Sequence, residues 1–476
     1  MERTTKVRHG ESVDEIRDDS TLLPFLLYHN HHYQPMPLSP LSAYEAAMVA
    51  RCNAGVSKTY TVGAQYTQPL SKPTIAAALA LLCNRFPAFS LCVGPSPDYF
   101  SSYLDPYTIG DDLIELVDVE DPEVKCADDV VRKYVHMDIP LYGTTPLWRC
   151  VYYPTDNVLF FYMVHVFFDG TAAKNFHIEF AKVLDDLETV EDTTTYVDTT
   201  QFKPFPSMTD LLKFQPRYAS TPTMSSLSSL PATLPPLDAQ LLESQPMYMH
   251  NYKRVPYSKA ATDSLIAMAR QHGVKLTALL YAFATKAIVG ALGKEKENGV
   301  DGVVKTLIPV NTRFMIDKID KMDVNTTFGL LFGKSEHVAT PQHIANTDTV
   351  TLVRSFQEQL AADVPNAMHG AEVFETAVAE QGRHLIEESM RKLAERNGNP
   401  EVTLVMSNLG VLAHDKILDV YFDQPMVDSC FALHFVTSAA SGISLSFTSH
   451  RAVPVAVFKD FVDGVVARID SILAIE

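Results

Sequence analysis

The chain has 476 residues, 46% of them hydrophobic and 10% aromatic. That is more apolar chain than one ordinary core holds, and it points to two or three domains. A formal net charge of −18 argues against a broad phosphate-binding face and so against nucleic acid as a partner, while leaving room for a local basic patch that meets a phosphorylated co-substrate.

Six cysteines (Cys52, Cys83, Cys92, Cys126, Cys150 and Cys430) are scattered without close pairs or zinc spacing. They read as free, mostly buried thiols of a reducing compartment. The opening Met1-Glu2-Arg3-Thr4-Thr5-Lys6 has no apolar core of a signal peptide. No apolar run approaches the ~20 residues of a membrane span. A soluble, cytoplasmic, monomeric protein is expected.

In chain order, residues 1–37 read as an N-terminal extension. It includes His29-Asn30-His31-His32, a histidine cluster with no carboxylate or thiol beside it to complete a metal site. Ser39-Pro40-Leu41-Ser42 is expected to open a helix running through Met48. Thr59 to Gln68, β-branched and aromatic, is a strand. Ser71-Lys72-Pro73 caps a helix whose Ile75, Leu79 and Leu82 recur at helical spacing and which Pro87 stops. Phe89 to Val93 is a strand, Asp111 to Asp129 surface loops and turns, and Val130 to His136 a short helix. Cys150 to Tyr153 is a strand that turns through Pro154-Thr155-Asp156-Asn157 into the next.

That next strand is the most unusual stretch of the chain. Phe160-Phe161-Tyr162-Met163-Val164-His165-Val166-Phe167-Phe168 is apolar throughout except for one histidine, and Asp169-Gly170 follow. Thr171 is the expected cap of a helix with Phe176, Phe180, Val183, Leu184 and Leu187 on its buried face. Residues 216–246 include a Ser/Thr/Pro-rich stretch that cannot build a core and mark a linker. It separates a domain at 38–215 from one at 247–476. In the second half, strands are expected at Tyr248 to Pro256, Val303 to Val310, Asn325 to Lys334, Val402 to Met406, Leu418 to Phe422, Ala432 to Thr437 and Ile443 to Thr448. Helices are expected at Ala260 to His272, from Lys275 to Leu292, and at Thr347 to Asp363, Glu375 to Arg396 and Phe458 to Ile475. The Lys294-Glu295-Lys296-Glu297 run is an exposed loop. The mixture in both halves indicates an α+β fold of mixed sheets.

A neutral imidazole accepts a proton from a hydroxyl or amine during attack on an acyl carbon. A histidine just past a strand end is placed to reach substrate. From the residues alone, two readings stand. His165 is a general base, or it is a hydrogen-bonded core histidine with Asp169 a plain turn residue. Asp169 could pair with His165 or with a distant cation. No Gly-x-Ser-x-Gly elbow, phosphate-cradling loop or His-Glu-x-x-His motif competes. His136, His177, His250, His434 and His450 read as structural or solvated.

His165-Val-Phe-Phe-Asp169-Gly170 resembles the His-x-x-x-Asp-Gly signature of the CoA-dependent acyltransferase superfamily, of chloramphenicol acetyltransferase type. Pro146-Leu147-Trp148-Arg149 resembles the Pro-Leu-x-Arg upstream of it. The Trp148 to Pro154 stretch is similar to that of fungal alcohol acetyltransferases in particular. Pro309-Val310-Asn311-Thr312-Arg313 and Ser407-Asn408-Leu409-Gly410 resemble two C-terminal motifs, so the collinear set spans about residues 38–450. Two departures point away from other branches. Val164 stands where condensation domains carry a second histidine, and the Asp-Phe-Gly-Trp-Gly motif of plant acyltransferases is absent. A third is local: Phe86 replaces the histidine of an Arg-His-Pro segment.

The resemblance implies two similar mixed-sheet domains with an interdomain tunnel. His165 would be the base in direct transfer of an acyl group, acetyl foremost, from acyl-CoA to a small alcohol, or to an amine. It implies no permanently bound cofactor and no metal. Asp169 would be a structural partner of Arg313 beside Gly170, and Ser407 and Asn408 would contact the oxyanion or substrate. A carrier-protein-dependent transferase and a non-catalytic member of the fold are the alternatives.

Overall fold

The computed structural model describes residues 39–55, 59–94, 100–135, 137–189, 194–203, 206, 210, 229–246, 249–293, 302–315, 328–396 and 399–474. The 29–32 histidine cluster, His136, the 294–297 run and residues 216–228 of the 216–246 stretch lie outside the described residues.

The chain runs β1 (Ser39–Pro40), α1 (Ala43–Asn53), β2 (Thr59–Tyr66), α2 (Lys72–Arg85), β3 (Leu91–Val93), β4 (Phe100–Tyr103), β5 (Tyr107–Thr108), β6 (Ile114–Leu116), α3 (Ala127–Tyr134), β7 (Trp148–Tyr153), β8 (Val158–Val164), α4 (Gly170–Leu187) and β9 (Tyr196–Val197). It continues with α5 (Ala239–Ser244), β10 (His250–Pro256), α6 (Lys259–Gln271), α7 (Leu276–Gly293), β11 (Val304–Asn311), β12 (Phe332–Ala339), α8 (Pro341–Asn346), α9 (Thr349–Asp363), α10 (His369–Gln381) and α11 (His384–Glu395). The last elements are β13 (Val402–Leu412), β14 (Ile417–Asp423), β15 (Ser429–Ser438), β16 (Gly442–His450) and α12 (Val455–Leu473).

Two mixed sheets carry the α+β fold. One has five strands in the order β14-β2-β8-β7-β6, the other six in the order β10-β16-β15-β13-β11-β12. In the first, β6 is parallel to β7 and the other pairs are antiparallel. In the second, β13 is parallel to both β11 and β15. Each sheet has its own apolar core. The sheets are not partitioned at the linker, because β14 belongs to the C-terminal half of the chain and pairs with β2. Arg254 on β10 ties it to the second sheet. Its guanidinium donates to Asp419 at 2.5 Å, to the Val420 carbonyl at 3.2 Å and to Ser444 Oγ at 2.7 Å, and lies 4.0 Å over the Tyr421 ring.

Local chemistry explains most boundaries. Ser71 accepts from Thr74 N and starts α2, with Pro73 in the first turn. The β7–β8 hairpin turns through Asn157 at φ 55°, a left-handed conformation that asparagine tolerates. The α7 helix, 18 residues with a mean hydropathy of 1.6, is long and apolar enough to cross a membrane. Two thirds of it (67%) is nonetheless buried, and it forms the spine of the second core.

Several expectations differ from the structure. Ser39-Pro40 does not begin a helix but pairs with β4, and the cap is Ser42, in a capping box with Glu45. The acidic 111–129 stretch contains β6, too short to show a period. Pro87–Ser90 is a 3₁₀ turn, so the strand begins only at Leu91. The single helix expected over 375–396 is two, α10 and α11, parted at Gly382 with φ 96°. The strand expected to stop at Met406 runs on to Leu412. Thr171 is not the cap of α4; Asp169 is.

Candidate active site

β8 is the middle strand of the five, flanked by β2 and β7, and all seven of its residues are buried. Phe161 stacks on Phe176 of α4 at 3.7 Å. This fully apolar strand is clamped from both edges and one face, and it delivers His165 into the turn immediately beyond its end.

The His165 ring packs between two aromatics, Tyr60 with centroids 4.8 Å apart and Phe332 at 5.5 Å. The register explains the first contact. Tyr60 opposes Met163, and His165, two residues on, projects from the same face. His165 is half-buried. Burial in these apolar surroundings pushes its pKa down to about 4, against a smaller upward pull from the Asp169 carboxylate. The ring is therefore neutral at pH 7. Nδ1 is enclosed, near backbone groups of His165 and Phe168 but without a hydrogen bond of good geometry.

Asp169 does not bond to His165; its carboxylate is fully occupied elsewhere. Arg313 Nη1 donates to Oδ2 at 2.8 Å and Nη2 to Oδ1 at 3.0 Å, a bidentate pair between side chains 3% and 4% exposed. Leu331 N donates to Oδ2 at 2.9 Å and Ala172 N to Oδ1 at 2.8 Å. The aspartate thus caps α4 and neutralises a buried guanidinium at once. Arg313 also donates to Asn311 Oδ1 and to the Gly329 carbonyl, and the latter accepts from Asp169 N too. Three segments far apart in sequence, around residues 169–172, 311–313 and 329–331, are locked into one knot by these bonds.

Gly170 sits in equally close quarters. A Cβ there would lie 2.5 Å from Leu409 Cδ2. This contact brings the Ser407-Asn408-Leu409-Gly410 segment of β13 against the start of α4. Asn408 is already engaged: its amide donates to Thr277 Oγ1 at 3.0 Å, and its carbonyl oxygen accepts from Gly410 N at 2.7 Å. Ser407 is buried. The other motif residues support the frame. Trp148 is fully buried and donates to the Phe89 carbonyl at 2.9 Å. Phe86, the residue that replaces a histidine, packs edge-on against Phe328 at 4.9 Å, next to Gly329.

The sequence carried no signal for Tyr60 or Phe332. Tyr60 lies in an unremarkable strand, and its proximity to His165 depends on β2–β8 pairing across about a hundred residues. Three more polar groups on the segments that meet at His165 lack partners: Tyr60 OH, Thr59 Oγ1 and Thr312 Oγ1. Lys174, one turn into α4, is half-buried, and burial and the Arg313 charge depress its pKa.

Two cavities lie elsewhere. One of about 290 Å³ is bounded by Glu115, Asp118, Asp121 and Lys133, and an apolar one of about 140 Å³ by Met268, Leu279, Phe283 and Val353. Neither is lined by a residue of the His165 cluster, so the site is defined by its chemistry rather than by cavity size. Among the described residues no group of His, Cys, Asp and Glu is arranged to hold a metal, and the six cysteines are free thiols, Cys126 exposed.

The same fold occurs in solved structures. Trichothecene 15-O-acetyltransferase (TRI3) from Fusarium sporotrichioides is 12% identical, with a TM-score of 0.64 over 91% of this chain and 94% of that one. The first condensation domain of the calcium-dependent antibiotic synthetase is 14% identical, with a TM-score of 0.60 over 93% and 96%. Polyketide synthase associated protein 5 from Mycobacterium tuberculosis is 15% identical, with a TM-score of 0.57 over 92% and 99%. No curated protein sequence matches. The alcohol acetyltransferase family model, however, matches residues 116–456, a span that holds His165, Asp169, Arg313 and Asn408, and the chain belongs to the alcohol acetyltransferase family.

Proposed function

We propose that the protein moves an acyl group, acetyl foremost, from acyl-CoA to the hydroxyl of a small-molecule acceptor, with His165 as general base. The observation that carries this reading is a neutral, half-buried imidazole at the end of a wholly buried strand, beside an aspartate whose oxygens are fully committed to Arg313, Leu331 and Ala172. Such a base takes the acceptor proton on Nε2 as the acceptor oxygen attacks the thioester carbon. It then returns the proton to the departing thiolate. No acyl-enzyme is formed. Asp169 and Arg313 hold the turn and take no part in proton transfer. Acyl-CoA and the acceptor would approach along a tunnel between the two halves, and the chain would act as a cytoplasmic monomer with no resident cofactor.

The likeness to condensation domains supports a second reading, transfer to an amine or from a carrier protein, because the same histidine serves either acceptor. The test is release of free CoA from acetyl-CoA with panels of alcohols and amines. The wild type should release CoA with at least one alcohol, and His165→Ala should lower the rate by about 10²–10⁴-fold, the usual worth of a positioned base. Equal rates for the two proteins with every acceptor would refute the assignment.

A further inference from the structure

Proteins seldom leave a buried hydroxyl unpaired, because its desolvation is then uncompensated. Tyr60 is 2% exposed, and its hydroxyl has no hydrogen-bond partner. The ring lies 4.8 Å from that of His165, on the same face of the β2–β8 pair. Asp169 and Arg313 are near enough to act on its charge, yet neither bonds to it, since Asp169 is saturated by Arg313, Leu331 and Ala172. Other buried hydroxyls among the described residues, such as those of Thr306, Ser429 and Thr448, also lack partners; Tyr60 is set apart by its place beside the proposed base.

We propose that the Tyr60 hydroxyl is a catalytic residue that donates a hydrogen bond to the thioester carbonyl oxygen as it becomes an oxyanion. The inference rests on the acyl-transfer reading above. As the acceptor oxygen bonds to the acyl carbon, its proton passes to His165 Nε2, and the carbonyl π pair moves to the oxygen facing Tyr60. On collapse that pair re-forms the carbonyl, the carbon–sulfur bond breaks, and the thiolate takes the proton back from His165. Ester and free thiol leave with charge and atoms balanced. Burial and the Asp169 carboxylate raise the phenol's pKa well above its usual value, so it remains a donor throughout the working range. Of the two motif candidates, Asn408 already gives one amide hydrogen to Thr277 Oγ1, and the buried Ser407 hydroxyl is the competing donor. The two ring centroids lie 4.8 Å apart, so the phenol and the imidazole are direct neighbours.

The test compares wild type, Tyr60→Phe and His165→Ala for kcat, KM and thermal unfolding. Tyr60→Phe removes only the unpaired hydroxyl, so Tm should be unchanged or raised, while kcat falls about 10²-fold with KM little altered, as for loss of one oxyanion donor. An unchanged kcat overturns the proposal. So does a raised KM at constant kcat, which would make the hydroxyl a ground-state contact, and so does a loss of kcat matched by a loss of Tm. If His165→Ala also retains full activity, the acyl-transfer reading itself fails. If His165→Ala is inactive and Tyr60→Phe is not impaired, only the role of Tyr60 fails.

Discussion

Replacement of Asp169 separates structure from chemistry at this site. Asp169→Ala deletes the acceptor of four hydrogen bonds, at 2.8 and 3.0 Å from Arg313, 2.9 Å from Leu331 N and 2.8 Å from Ala172 N. The guanidinium stays behind, its side chain 3% exposed, without a counter-charge. Breaking a buried pair on one side costs roughly 3–5 kcal/mol, and loss of the α4 cap costs about 1 kcal/mol more. That is a large fraction of the 5–15 kcal/mol that typically separates folded from unfolded chains. Asp169→Asn keeps the cap acceptor and most of the shape but not the charge, so its loss should be intermediate. Denaturant midpoints and thermal unfolding measure this order. In a double-mutant cycle, Asp169→Ala with Arg313→Ala should destabilise by less than the sum of the single changes, because the second removes the orphaned charge. A wild-type midpoint for Asp169→Ala would refute the reasoning about the pair. So would an Asp169→Asn protein as stable as wild type yet as inactive as His165→Ala, since the carboxylate would then belong to the chemistry.

Other consequences follow from the same geometry. Gly170→Ala places a methyl 2.5 Å from Leu409 Cδ2 and should cost about 1–3 kcal/mol; adding Leu409→Ala should recover part of the lost Tm, and additive losses would argue against the contact. His165, His177, His337 and His434 are each pushed down to about 4 by burial. The unfolded chain therefore takes up protons below about pH 6.5 that the folded chain refuses, and stability should fall as pH drops from about 6.5 toward 4, by up to about 1.4 kcal/mol per pH unit per histidine. A flat denaturant midpoint over that window would contradict it. In kcat/KM, the acid limb attributed to His165 should lie near pH 4 rather than 6.5, and His165→Ala should abolish it. Arg254→Lys loses the fork that spans Asp419, Val420 and Ser444; it should lower Tm and increase amide exchange in β14 without changing KM, and unchanged exchange there would count against the fork.

Local rules carried far in this chain. The Ser71-Lys72-Pro73 cap, the Pro154–Asn157 hairpin and the apolar run of β8 depend on neighbours within a few residues, so they were readable as they stood. A weaker local signal misleads where it competes: Ser39-Pro40 looks like a helix start, but the true box is Ser42 with Glu45. The three residues of β6 have no period of their own and exist only because β7 offers an edge. β14 illustrates the limit best. Nothing in residues 417–423 says that they will leave the later strands and pair with β2, because the partner is an edge supplied by a strand about 350 residues earlier.

At the site the division is similar. The sequence by itself determined which groups could do chemistry, a lone histidine closing an apolar strand and a following aspartate and glycine, because residue type and strand burial follow from composition alone. It left open whether Asp169 serves His165 or something else. Only the tertiary structure decided that. It brought Arg313, 144 positions along the chain, to 2.8 Å from the carboxylate, packed Leu409 against Gly170, and set Tyr60 beside His165 through a register that pairs residues about a hundred apart. Hydrogen bonds and excluded volume act over a few ångströms of space whatever the separation in sequence, so the partners of a buried charge become legible only once the sheets are assembled.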